Sequence, residues 1–431
     1  MKLFLLLLYF IFNFNIVYSD TDLLFYLDSA FKNNLKLNAE RENLKATRQD
    51  INISKSEFLP SISITGTVDD TNSTNRTNQS GTNLADTSTN TKSKKISVDQ
   101  KIFQGFQGYN SFKKSQLEVE QANFRFKNTE QEILLNAISA YYDLMFKSKN
   151  KEFNLANIDL FERQVETDNS RLQKGEITFT DLAQSESSLA GANANFISAK
   201  TELLTARTYF ERIIRIKPPK SILDNLQLNI NLPKNLNEAL SITEKNNPKL
   251  IIAKIDAQIS EKEVNIERSK LSPSASINYT RSENKDFSST IDDIDQENIK
   301  ATIKWPIIKG GKNYSTLRKS KFKKEQTNLI LADTKNEVLT DTSIAWSLFQ
   351  SAQSVLKSTK AQLKAAEIAN EGITLEYDSG NTRTTLEVIQ SRSLLLGARI
   401  DNARAERDFM ISKFKLLESV GNLTFENIKN L

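Results

Sequence analysis

Residues 109–174 contain neither proline nor glycine, and residues 182–217 contain only Gly191. Read as helix, the first run extends about 100 Å at 1.5 Å per residue, well beyond an ordinary globular helix and in the range of a coiled coil. The second run shows the pattern such a helix needs. Leu182, Leu189, Phe196, Leu203 and Phe210 recur every seven residues, and Ala192, Ala199, Ala206 and Ile213 lie three or four places on. An apolar row beside an alanine row lets another helix approach closely, and a strict seven-residue repeat implies supercoiled helices. The pattern returns at Val388, Leu395, Phe409 and Leu416, with Asn402 as the polar break and Ala398 and Ala405 as the small row. Ahead of it, residues 312–379 are proline-free with only Gly372 inside, and Gly380 follows. The chain is therefore a duplication of one unit built on a pair of long helices, a mainly α protein with a small β part.

The order of the remaining segments is duplicated as well. Residues 22–58 read as helix, stopped by Leu59-Pro60. From Ser61 to Asp69, and again from Lys95 to Ile102, apolar and polar residues alternate with period two, as in strands with one apolar and one wet face. Between them, residues 70–94 are rich in Asn, Thr and Ser and read as a long solvated loop without fixed structure. In the second half, Lys245-Asn246-Asn247-Pro248-Lys249-Leu250 matches Lys32-Asn33-Asn34-Leu35-Lys36-Leu37, and Pro273-Ser274 then falls on Pro60-Ser61. Two more alternating stretches follow, 274–280 and 299–305, around a polar, acidic loop at 281–297. At roughly nine residues each, tilted strands of this kind are long enough to cross a bilayer. Their alternation, with Trp305, Phe103 and Tyr279 at the margins, is that of an outer-membrane barrel. The alternative is a soluble hairpin packed on the helices. A closed barrel needs no fewer than about eight strands; the sequence offers four, so if they cross a membrane several chains must pool them.

Residues 1–19 carry Lys2, an apolar run from Leu3 to Phe12, and Val17-Tyr18-Ser19, which together read as a signal peptide cleaved after Ser19. Asn13 and Asn15 cut the apolar run too short for a membrane anchor. The expected divisions are 1–19 signal peptide, 20–217 first repeat, 218–234 linker, 235–420 second repeat and 421–431 tail. The chain has no cysteine and no histidine. That removes thiol nucleophiles, imidazole bases, disulfides, N-terminal lipidation and thiolate or imidazole metal sites. Opposed charges nearly balance, 58 basic against 53 acidic residues, which gives no argument for nucleic acid. No pair of carboxylates sits in an apolar context, so no enzyme, cofactor or metal is expected. Two readings remain from the residues alone: an outer-membrane export channel, and a periplasmic coiled-coil scaffold without a pore. The repeated strands beside the long helices distinguish them, since a scaffold needs none.

At this point the residues resemble a family, the TolC-type outer-membrane efflux and secretion channels. The resemblance rests on the duplicated helix–strand–strand–helix–helix order and on Trp305-Pro306-Ile307-Ile308-Lys309-Gly310-Gly311, which is similar to the family's Pro-Leu-Phe-x-Gly-Gly stretch. It rests also on two turns, one from Leu172 through Gly175 to Leu182 and the other from Tyr377 through Gly380 to Val388. It implies a homotrimer in the outer membrane of a Gram-negative bacterium. Four transmembrane strands per chain would pool into a 12-stranded barrel, and the long helices would form a hollow coiled-coil α-barrel across the periplasm. The chain would be a passive conduit for small molecules or proteins. A periplasmic adaptor (membrane fusion) protein and an inner-membrane pump or ABC transporter would dock at the periplasmic tip, where Gly175 and Gly380 turn the helices. The resemblance further implies a gate formed by Asp181 on one side and Tyr377 with Arg383 on the other. Asn381 looks like an insertion that places Arg383 one residue late. An acidic entrance ring would fall on Glu387 and Gln390, the second neutral here, so cation attraction at the mouth should be weaker.

Overall fold

The computed structural model describes residues 23–219, 231–288, 290–379 and 383–429. The expected signal peptide, the centre of the expected linker (220–230), and Gly380 and Asn381 lie outside the described residues. The elements, in chain order, are α1 (Leu23–Asn33), α2 (Leu35–Ser56), β1 (Ser61–Ser73), β2 (Arg76–Thr77), β3 (Asn83–Leu84), β4 (Thr87–Phe103), α3 (Gln107–Gln173), α4 (Phe179–Ile214), α5 (Leu236–Asn246), α6 (Pro248–Ser269), β5 (Ser274–Ser288), β6 (Ile291–Lys304), α7 (Lys312–Asp378), α8 (Thr385–Ser419) and α9 (Phe425–Lys429). The chain divides into two compact units: Met1–Arg41, Arg125–Ile251 and Thr334–Leu431 form one, Glu42–Phe124 and Ile252–Asp333 the other.

The first unit holds the main hydrophobic core, centred on Tyr26, Leu134, Tyr141, Phe210, Ile214 and Phe414, each at most 2 % exposed. Tyr26 meets Phe210 edge-on with centroids 5.2 Å apart. The alanine rows of α4 and α8 are buried at Ala192, Ala199, Ala206, Ala398 and Ala405, so the seven-residue pattern marks the packed seam. The matched Lys-Asn-Asn segments have a physical reason. The helix expected over 22–58 breaks at Asn34, whose Oδ1 accepts from the Lys36 backbone N–H at 3.0 Å while its Nδ2 donates to the Ile213 carbonyl at 3.0 Å. Asn247 does the same in the second half: its Oδ1 accepts from Lys249 at 3.0 Å, and its Nδ2 donates to the Ser419 carbonyl at 2.8 Å. Each asparagine starts one helix and ties down the end of another, satisfying N–H groups at the first and a carbonyl at the second.

In the second unit the four long strands form one antiparallel sheet in the order β1-β4-β5-β6, which leaves β1 and β6 as its edges. Register places Ile62, Val98, Tyr279 and Ile299 in a single row across all four strands. The next row on the other face, Ser61, Asp99, Asn278 and Lys300, is polar throughout. The sheet therefore has one apolar and one polar face, set by parity.

The strands run further than the apolar alternation does. Residues 70–94, expected to be an unstructured loop, are largely paired: β1 continues to Ser73 opposite Thr87, and β2 and β3 cap the hairpin. The expected loop at 281–297 is paired likewise, with Arg281 opposite Glu297 and Ser288 opposite Ile291. Beyond the apolar band both faces are wet, so no hydrophobic period marks these residues as strand. Threonine's β-branched side chain still favours the pleated surface. At the tip, Asn78 Oδ1 accepts from the Ser80 and Thr82 backbone N–H groups at 3.1 and 2.8 Å, an Asx-type turn. Among the described residues, no helix is long and apolar enough to cross a membrane.

Candidate functional site

The turn after α3 ends in a Schellman motif. Gly175 takes φ +74°, where a side chain would be strained. Its N–H bonds to the Leu172 carbonyl, and that of Glu176 to the Arg171 carbonyl, each at 2.9 Å. Helix α4 then opens with a capping box: Thr178 Oγ1 accepts from the Asp181 N–H at 3.3 Å, and Asp181 Oδ2 accepts from the Thr178 N–H at 2.9 Å. Helix α8 opens identically, Thr384 Oγ1 accepting from the Glu387 N–H at 3.3 Å and Glu387 Oε2 from the Thr384 N–H at 2.8 Å. Asp181 and Glu387 are thus the same position in the two repeats. The Thr178 backbone bond holds the Asp181 carboxyl below its ordinary range; the Thr384 backbone bond, helped by Arg383, does so for Glu387.

Within the chain, Asp181 bonds to Thr178 and not to the tyrosine or the arginine that the family resemblance sets against it. Arg383 Nε donates to Glu376 at 2.6 Å and its Nη1 to Glu387 at 2.9 Å, closing a bridge from the end of α7 to the start of α8. Tyr377 is 5 % exposed. Its hydroxyl donates to Asp168 Oδ1 at 2.8 Å, accepts from Gln164 Nε2 at 3.2 Å and lies 3.1 Å from Thr385 Oγ1. The Arg171 guanidinium covers its ring at 4.2 Å. Burial, ahead of other causes, pushes the Tyr377 hydroxyl up, so it remains a donor at any physiological pH.

Asp168 is the centre of this cluster, fully buried. It accepts from Gln164 at 2.9 Å, from Tyr377, and from Ser185 Oγ at 2.5 Å. Those donors come from α3, α7 and α4, and Thr385 adds α8 through the Tyr377 hydroxyl, so the carboxylate and the tyrosine on it together join four helices. Arg392 lies nearby with its Nη1 on the Leu160 carbonyl at 3.1 Å. Burial lowers its guanidinium's pKa, while the negative charges of Asp378 and Asp168 support its charged form. Gln164 and Asp168 escape a reading based on the glycine turns, but they carry a signal. After Ile158 and Phe161 they continue the buried seam of α3 at helical spacing, and a polar pair in such a seam is unexpected unless it fixes a partner. Glu387 and the exposed Gln390 line a shallow groove with Ala366, Ala369 and Leu394 between α7 and α8.

The profile of the family described as outer membrane efflux protein matches residues 26–214 and 239–422, most of the chain. The chain belongs to that family. This efflux protein is 26 % identical over 403 residues to the outer membrane efflux protein BepC of Brucella suis, covering 93 % of this chain and 86 % of the relative. It is 22 % identical over 404 residues to the outer membrane protein TolC of Vibrio cholerae, covering 92 % and 89 %. Its fold matches the crystal structure of the Campylobacter jejuni CmeC outer membrane channel with a TM-score of 0.82 at 14 % identity, over 92 % of this chain and 85 % of that one. It is therefore an outer-membrane channel-family protein of Gram-negative type and not an enzyme.

Proposed function

We propose that this efflux protein is a passive export conduit in which three copies pool their sheets into one 12-stranded outer-membrane barrel and their long helices into a periplasmic tunnel. The observation that carries this is the apolar face of the sheet. Ile62, Ile64, Ile299 and Ile303 are 69 %, 79 %, 76 % and 81 % exposed, where burial of each would contribute about 1.5–3 kcal/mol. The edge strands β1 and β6 are likewise unpaired along their outer sides. Lipid satisfies the face, but no open edge survives in lipid. Closure needs more than four strands, and three copies supply a number within the known range of such barrels. Energy comes from partners, an inner-membrane pump or ABC transporter reached through a periplasmic adaptor, in a tripartite efflux or type I secretion assembly.

The helical tip, with Gly175 at the turn between α3 and α4, is the gate. Tyr377 on Asp168 holds α7 and α8 onto α3 and α4 within each copy. Asp181 and Arg383 act across the seam with the next copy beside the partners they hold in their own turns, and Glu387 with Gln390 rings the entrance. The detergent-solubilised protein should migrate as a heat-modifiable trimer and give discrete, small conductance steps in a planar bilayer. A trimer of correct mobility that never conducts would make it a scaffold rather than a channel.

A further inference from the structure

We infer that the barrel lumen of this protein is cationic and favours anions, which names the class of solute that passes it most readily. The inference rests on the trimeric barrel proposed above. Pairing parity fixes which side chains share a face: the residues opposite the Ile62–Val98–Tyr279–Ile299 row are those of odd number on β1 and on β4 as far as Lys101, where a register shift returns Phe103 to the apolar face, and those of even number on β5 and β6. From the row of Lys95 and Gln296 to the row of Ser274 and Lys304, that face carries only polar residues, and its charges are Lys95, Lys101, Lys300 and Lys304 against Asp99 alone. Asp99 is engaged by Asn278, whose Nδ2 donates to it at 2.5 Å. Lys300 shares its row but lies two strands away, about 10 Å at the usual strand spacing. None of the four lysines forms an ion pair among the described residues.

Tripled by the trimer, twelve lysines would face three aspartates along about 27 Å of strand. A wall of one sign backed by a low-dielectric barrel and bilayer focuses its field into the lumen, and rings of lysine mark anion-conducting pores. The belt lies behind the apolar rows, at membrane depth, where no bulk salt outside the pore screens it. Farther out, Asp69 and Asp292 on the same face end the cationic zone. The whole-chain excess of five positive charges does not reveal this belt, because it arises from register.

The experiment is the reversal potential of the purified trimer in a planar bilayer under a potassium chloride gradient, with Asp168→Ala used to raise conductance where the parent is too closed to read. Chloride should permeate preferentially. The preference should shrink as salt rises from about 0.1 M to 1 M, because the Debye length falls from about 10 Å to 3 Å. Replacing Lys95, Lys101, Lys300 and Lys304 together by Glu should reverse the sign, and replacing them by Gln should abolish the preference with the heat-modifiable trimer intact. A parent that prefers potassium, or a Glu variant that keeps the parent's sign, overturns the cationic belt. A trimer that gives no conductance at all sinks the channel reading instead.

Discussion

At the scale of single residues, Asp168 distinguishes this tip from what its turns suggest. A buried carboxylate that accepts from Gln164, Ser185 and Tyr377 loses about 1.5–3 kcal/mol for each charged hydrogen bond removed. Asp168→Ala and Tyr377→Phe should both raise single-channel conductance, the first more than the second. Asp181→Ala removes a cap partner, worth about 1 kcal/mol or less to α4, and should change conductance less than Asp168→Ala. Parent-like conductance in the Asp168 variant would place the latch elsewhere. Glu130 gives a prediction about pH. Burial, chiefly, raises its carboxyl's pKa above the ordinary glutamate value, although its side chain accepts from the Phe425 N–H at 2.8 Å. An acid whose folded pKa is raised costs stability above that pKa and costs none below the unfolded value. Glu130→Gln keeps the acceptor and removes the charge, so it should raise the melting temperature at pH 7 and lose that advantage near about pH 3. An equal gain at both pH values would assign the effect to packing.

At the scale of elements, the long helices are legible in the sequence because proline is absent from them, glycine is sparse within them, and leucine and alanine rows repeat every seven residues. The duplicated capping boxes at Thr178 and Thr384 are legible too, as Thr-x-x-Asp and Thr-x-x-Glu. The Asp168 cluster is not, since it joins α3 to α7 across 209 positions of sequence and no local pattern encodes such a contact. Nor are the outer halves of the strands, where both faces are polar and the apolar period vanishes. What the alternation does fix is the membrane face. Lysine in place of Ile64 or Ala301 should cost about 2–4 kcal/mol at mid-bilayer and lower the yield of assembled trimer, whereas Ser63→Lys on the other face should not. Equal yields from the two faces would reject the register. Gly421 tests an element junction. It takes φ +82°, and a Cβ there would clash with the Asn246 carbonyl oxygen. Gly421→Ala should therefore cost at least about 1–3 kcal/mol and loosen α9, seen as faster amide exchange at Ile428; unchanged exchange there would show that the turn adapts.

At the scale of the whole molecule, one half-sequence used twice explains why Asn34 and Asn247 carry the same bonds and why the two tip turns open with the same cap. The duplication supplies two strands per half and so four per chain, which cannot close on themselves. The central claim is that β6 of one copy pairs with β1 of the next. The native chain has no cysteine, so a pair can be placed freely. Within one copy β1 and β6 are separated by β4 and β5, about 14 Å, beyond the roughly 7 Å between Cα atoms that a disulfide tolerates. The measurement is oxidation, in intact outer membranes, of a variant with Ser63→Cys on β1 and one cysteine scanned along β6 through Asn298, Lys300 and Thr302. One register should yield dimers and a closed trimer on a denaturing gel, and monomer on reduction. Monomer alone at every pair, in membranes that hold the assembled protein, would contradict the shared barrel.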